Sequence, residues 1–330
     1  MNNFKKIGVS ALAGSLVAFT ANAGEMTVSG AASIAVEHIN GGAANGGKSF
    51  YMGNQLTFSG GGELDNGMNV SLSFVIDQGD DTSDAAGTAP FDSHSVTVSS
   101  DTLGSLKLMG EGGASTASAI SGTAAGNLWD TFDQHTVAAG ATSIPDLSQT
   151  ASPGDDSFMY TSPELMDGLT ATLSWEPQNT GIDSGTGWGV SYTGVEGLSV
   201  AYAVADVVGT TTLTSGDNTQ MDVSYAYGPV TVSYSNGDHD EKTTDGSGDV
   251  EMESFAISYT VTDELSITYG EETSDIGSLT VDAEISAISF AYTAGGMTLS
   301  GKMTEGENLD YTTDTAADLD AWTLGASFAF

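Results

Sequence analysis

Large apolar side chains return at every second position in segment after segment of this chain, and that period admits few folds. In the terminal stretch, Trp322, Leu324, Ala326, Phe328 and Phe330 fall on one face of an extended strand, and Thr323, Gly325, Ser327 and Ala329 on the other. The same alternation marks about 26–36, 55–59, 70–77, 92–100, 104–111, 155–162, 168–176, 186–194, 197–205, 219–228, 230–236, 250–261, 264–272, 281–293, 296–304 and 320–330, which predicts roughly sixteen half-buried strands. After residue 23 no stretch approaches eighteen consecutive apolar residues, so no transmembrane helix is expected.

The links between these strands alternate between short and long. Short ones fall near Leu64–Gly67, Asp101–Leu103, Pro163–Asp167, Gly194–Glu196, Gly228–Pro229, Thr262–Asp263 and Ala294–Gly295, with the Asn-Gly, Gly-Pro and Asp chemistry of tight hairpins. Long ones, rich in Asp, Gly, Ser and Thr, are expected at 37–52, 78–91, 112–154, 177–185, 206–218, 237–249, 273–280 and 305–319. A soluble sandwich, the competing reading, scatters its loop lengths over both ends. Segregation of short turns to one end is the pattern of a transmembrane barrel. Hydrocarbon supplies no water to an open sheet edge, so the first strand must pair with the last. At about sixteen strands the interior is too wide for side chains to fill and holds water. In 168–176, Leu169, Ala171, Leu173 and Trp175 point outward, and Thr170, Thr172, Ser174 and Glu176 line the lumen. Tyr192, Tyr202, Tyr225, Tyr227, Tyr234, Tyr259, Tyr269, Tyr292 and Trp322 suit interfacial aromatic girdles, although strand propensity accounts for part of that set.

The beginning of the chain carries an export signal. Lys5-Lys6 precede an apolar run from Ile7 to Phe19, and Ala21-Asn22-Ala23 offers the small-x-small cleavage pattern, so residues 1–23 are expected to be removed and residues 24–330 to form a single barrel domain. With no cysteine, packing and backbone hydrogen bonds must stabilise the exported chain. All six basic residues are lysines, and loss of the signal leaves four lysines against 44 acids, a formal charge of −40. Such a field repels nucleic acid and anionic solutes and attracts cations. A saline habitat is an alternative origin for the acid excess.

Taken together, the segregated links, the even strand number and the aromatic ending at Phe330 make residues 24–330 resemble the general diffusion porins of Gram-negative bacteria. The resemblance implies a closed antiparallel transmembrane β-barrel in the outer membrane, a homotrimer, and a third extracellular loop folded into the lumen to narrow a passive channel for small hydrophilic solutes and ions. It implies contact with outer-membrane lipid and lipopolysaccharide. It also implies that the barrel-assembly machinery reads the terminal strand, here Trp322, Leu324, Phe328 and Phe330. The link at 112–154 takes the third position and is by far the longest, and long structureless links are usually functional. Trp129 and Phe132 are expected to pin it, with Asp130 and Asp133 facing water. Porins of this family oppose the loop acids with wall arginines, which this chain lacks entirely. By alternation, the inward basic candidates are Lys107 on the fifth predicted strand and Lys302 on the fifteenth. They face Glu111, Asp130, Asp133, Asp146, Asp155 and Asp156, and cation preference is the expected outcome.

Other chemistries find little support. Asp80, Asp81, Asp84, Asp238, Asp240, Glu241, Asp245, Asp314, Asp318 and Asp320 offer hard oxygens for weak Ca²⁺ or Mg²⁺ binding at outer loops, but none has EF-hand spacing, and no cofactor is expected. His38, His94, His135 and His239 fall in predicted long links or at strand mouths. Asp92-Ser93-His94 are strand neighbours that alternate faces and cannot form a triad alone. No metalloprotease, phosphate-loop or serine-hydrolase motif occurs, so no enzyme is expected. A non-conducting surface, structural or adhesive outer-membrane barrel and a substrate-specific channel remain as alternatives.

Overall fold

The computed structural model describes residues 26–41, 45–77, 91–120, 123–132, 155–177, 184–207, 215–242 and 248–330. Sixteen strands follow one another: β1 (Thr27–Gly41), β2 (Asn45–Glu63), β3 (Asn69–Asp77), β4 (Ser93–Ser100), β5 (Gly104–Glu111), β6 (Asp155–Thr161), β7 (Leu169–Glu176), β8 (Gly185–Tyr192), β9 (Leu198–Val207), β10 (Gly216–Tyr227), β11 (Val230–Glu241), β12 (Val250–Thr262), β13 (Leu265–Ile276), β14 (Ala283–Ala294), β15 (Met297–Glu307) and β16 (Leu319–Ala329). Each pairs antiparallel with its sequence neighbours, and β1 pairs β16, so the sheet closes on itself.

Closure rests on the ending of the chain. Eleven residue pairs run from Ala31 opposite Ala329 to Gly41 opposite Leu319. Phe330 extends the seam: Gly30 N donates to Phe330 O at 2.8 Å, and Phe330 N donates to Gly30 O at 3.0 Å. Its ring lies over Gly30, where a Cβ would come within 2.4 Å of it. The bare glycine is what admits the aromatic, an arrangement known to stabilise strand glycines.

Tight turns set the register at one end. At Asn66-Gly67, Gly67 takes φ 79°, its N–H donates to Leu64 O at 2.9 Å, and Leu64 N returns a bond to Met68 O at 2.7 Å. The segregation of links holds with one correction: the first long link, expected at 37–52, is a strand pair. β1 and β2 stay hydrogen-bonded through His38 opposite Lys48 to Gly41 opposite Asn45. Strands β10, β11, β13 and β15 likewise run beyond their expected ends. The outward residues there are polar, which breaks the apolar alternation without breaking the ladder. In consequence His38 and His239 sit within strands rather than in links; His239 is buried, with Nδ1 2.6 Å from Asn218 Oδ1. His135 lies outside the described residues.

The faces divide as alternation requires. Val28, Ile34, Leu72, Val96, Leu106, Leu173, Trp175, Ile257, Ile288 and Leu324 are exposed on the exterior, while the opposite face is dominated by Ser, Thr, Gly and Ala. All nine predicted girdle aromatics share that exterior face; Tyr192, Tyr225, Tyr227, Tyr259 and Tyr292 lie at the short-turn end. The buried apolar cluster lies inside the barrel. Leu128, Trp129 and Phe132 of the 112–154 link pack there with Ile39, Val250, Met252, Ile285 and Leu319 of the wall and Leu309 and Tyr311 of the link 308–318.

Candidate functional site

The described part of the 112–154 link travels along the small-residue face of strand after strand. Ala114 N donates to Ser157 Oγ of β6 at 3.3 Å, and Thr116 N to Ser174 Oγ of β7 at 3.0 Å. Thr116 Oγ1 donates to Val204 O of β9 at 2.9 Å. Farther round, Ala124 N reaches Ser235 Oγ of β11 at 2.8 Å, and Ala125 N reaches Ser254 Oγ of β12 at 2.9 Å. These serines give the link's amides the acceptors that buried backbone groups require. Gly187 and Gly270 make room for it: a Cβ at either would fall 2.3 Å from Thr116 Oγ1 or 2.6 Å from Ala125 Cβ. The serine and glycine content of the wall thus has a structural use beyond wettability.

Two charged wall residues grip the far end of this segment. Glu272 of β13 is 1% exposed. Its Oε2 accepts Leu128 N at 2.8 Å and Trp129 N at 3.3 Å, and its Oε1 accepts the Thr123 hydroxyl. On β15, Lys302 Nζ donates to Thr131 Oγ1 at 2.7 Å. Beside these grips Trp129 and Phe132 are 2% and 0% exposed. Among the described residues, Trp129 Nε1 and Thr304 Oγ1 are buried side-chain groups without a protein partner. In the neighbouring link 308–318, Tyr311 donates its hydroxyl to Ser274 Oγ at 3.0 Å, and burial pushes its phenol up to about 12.

The sequence-selected residues are distributed unevenly. Asp130 is exposed beside the buried Trp129. Glu111 and Asp155 are opposed in the β5–β6 ladder, and Asp156, with φ 58°, is exposed next to them. Asp133 and Asp146 lie outside the described residues. Lys107 is an exposed inward position on β5, whereas Lys302 is engaged by the link. Glu272 escaped selection, although alternation from outward Ile267 and Tyr269 places position 272 inward. Glu37, Glu176 and Asp222 are further carboxylates on that inner face by the same alternation. Among the described residues no group of three His, Asp or Glu side chains comes together to hold a metal.

At the long-link end the strands carry like charges opposite one another. Asp217 lies between Asp206 and Asp240, Glu251 between Asp238 and Asp275, Glu284 opposite Glu307, and Glu305 opposite Asp320. Such pairs repel. Lys242 relieves one set, at 3.3 Å from Asp217 and 3.9 Å from Asp206.

A closed sixteen-strand barrel with an apolar exterior, an inner face rich in small residues and part of its own third link on the inner wall defines a transmembrane barrel of the channel-forming class. A family model described as Gram-negative porin matches residues 8–330, and the chain belongs to that family: it is a channel protein of the bacterial outer membrane. Solved structures agree on the fold. An anion-selective porin from Comamonas acidovorans is 16% identical, with 93% of this chain and 99% of that one covered at a TM-score of 0.66. A multiply substituted Rh. blastica porin is 15% identical, with coverage of 93% and 100% and a TM-score of 0.64. A loop-deletion mutant of OmpT, an outer membrane protein of Vibrio cholerae, is 15% identical at the same coverage, with a TM-score of 0.63. No curated protein matches the sequence.

Proposed function

We propose that this porin is a passive, cation-preferring diffusion channel whose aperture is set by the 112–154 loop. The observation that carries the reading is the charge of the inner face. Glu37, Glu176, Asp222 and Glu272, with Asp130 on the loop, outnumber Lys107 and Lys302 by five to two. In a water-filled tube with low-dielectric walls such an imbalance raises the local concentration of cations. The fold does not fix the sign of selectivity, since a neighbour of the same architecture is described as anion-selective; the side chains must decide it. Glu111, Asp133, Asp146, Asp155 and Asp156 extend the acidic side of the constriction in this reading.

Residues 1–23 act as the cleaved export signal and residues 24–330 as one porin domain. The exposed apolar exterior of β1–β3, with Val28, Ile34, Phe50, Met52, Leu56 and Leu72, suits burial between subunits of a homotrimer. Trp322, Leu324, Phe328 and Phe330 serve the barrel-assembly machinery, and the acidic outer rim faces lipopolysaccharide. No enzymatic role, resident cofactor or nucleic-acid partner is proposed. Liposome swelling tests the proposal. A cationic amino sugar should enter faster than an anionic sugar acid of the same size, and the reverse order would contradict it.

A further inference from the structure

Glu272 is a buried carboxylate facing donors from one short piece of the loop. Thr123, Leu128 and Trp129 all bond to it, and the turn between them is closed by Asn127 N to Thr123 Oγ1 at 2.6 Å and Thr123 N to Asn127 Oδ1 at 3.2 Å. Three donors of the 123–129 turn thus converge on one carboxylate of the wall, beside the separate bond from Lys302 to Thr131. The charged groups around it are Asp130 on the loop and Lys302 on β15, with Glu37 of β1 beyond Lys302. Three acids therefore share one base.

We propose that Glu272 is the positioning residue of the constriction loop, and that its protonation releases the loop, so that the aperture responds to pH. An ionised carboxylate accepts the Leu128 and Trp129 N–H groups as charge-assisted bonds, which are the strong ones. Protonation removes that assistance and adds a hydroxyl donor facing other donors. Buried N–H groups left with weakened partners favour an arrangement in which water reaches them. Lys302 cannot replace the grip, because an ammonium has no acceptor to offer.

The inference rests on the 112–154 loop being the constriction, and purified full-length protein in planar bilayers separates the two ideas. Wild-type channels should show substate closures that become more frequent as pH is lowered on both sides. Glu272→Gln, neutral at every pH, should show about tenfold more of them or greater already at neutral pH, with little further change in acid. Glu271→Gln, on the exposed outer face of the same strand, should keep the wild-type profile. Should Glu272→Gln fail to assemble, the absence of native cysteine permits a second test. Ala125→Cys with Ser254→Cys, at positions joined by a hydrogen bond, should abolish the acid response when oxidised and restore it on reduction. A Glu272→Gln channel with wild-type closures and pH profile, or an oxidised pair with an undiminished acid response, overturns the proposal. A wild-type protein that does not conduct would instead overturn the channel reading.

Discussion

Replacing Phe132 by Ala should loosen the loop while leaving the barrel standing. The ring is fully buried and packs with Leu309 of the last link, close enough to β15 that a Cβ at Gly306 would lie 3.0 Å from Phe132 Cε2. Truncating a buried Phe to Ala costs about 3–5 kcal/mol in lost transfer and cavity terms. No strand ladder passes through position 132, so the loss falls on the docking of the loop and much less on global unfolding. At about 1.4 kcal/mol per tenfold, the undocked-to-docked ratio should rise by roughly two to three and a half powers of ten. Single-channel recording reads that ratio as open-level heterogeneity and closed dwell time. Heat-modifiable migration on gels checks that the barrel is folded, and Tyr227→Ala, at an exposed exterior position, is the control. A Phe132→Ala channel with wild-type dwell times, conductance and selectivity would refute the claim that this cluster positions the loop.

Three further outcomes follow from other parts of the molecule. Deleting Phe330, or filling its seat with Gly30→Val, should lower the yield of assembled barrel in outer membranes more than it alters the conductance of barrels that do form; normal assembly of both variants would remove the signal role of the terminal residue. Tyr311 has a folded-state value raised to about 12 from an ordinary 10.0, so the stability it contributes is fully present below pH 10 and is lost as pH rises through 12, on the order of 3 kcal/mol. Alkaline titration of tyrosinate absorbance should therefore lose one late-ionising group in Tyr311→Phe, and an unchanged curve would contradict the buried hydroxyl. Because the rim opposes carboxylate to carboxylate, thermal stability in detergent should rise from low to molar monovalent salt as the repulsion is screened, and a flat or falling trend would count against that electrostatic picture.

Much of the architecture was legible because a membrane barrel writes its constraints into every second residue. Leu169 to Glu176 divides between exterior and lumen by alternation alone, and the Trp322–Phe330 ending is the strand that closes the sheet. The pattern failed where the physics changed. Beyond the hydrocarbon, outward positions such as His38, Asn236 and Thr273 need not be apolar, so β1, β11 and β13 continue in hydrogen bonds where the hydropathy signal stops. The site was legible in part. Apolar Trp129 and Phe132 in a polar loop stood out, but their partners Ile39, Ile285, Leu309 and Leu319 come from opposite ends of the chain and meet only once the barrel is closed. Glu272 looked like one more lumen carboxylate, because its function depends on three donors about 145 residues away in sequence.

The most direct test is the cation-to-anion permeability ratio of single wild-type channels, taken from the reversal potential across a potassium chloride gradient at low and at high mean salt. The acidic inner face predicts a ratio well above one at low salt that falls as screening shortens the reach of the wall charges. A ratio below one at low salt, or a purified, folded protein that passes no current, would contradict the account.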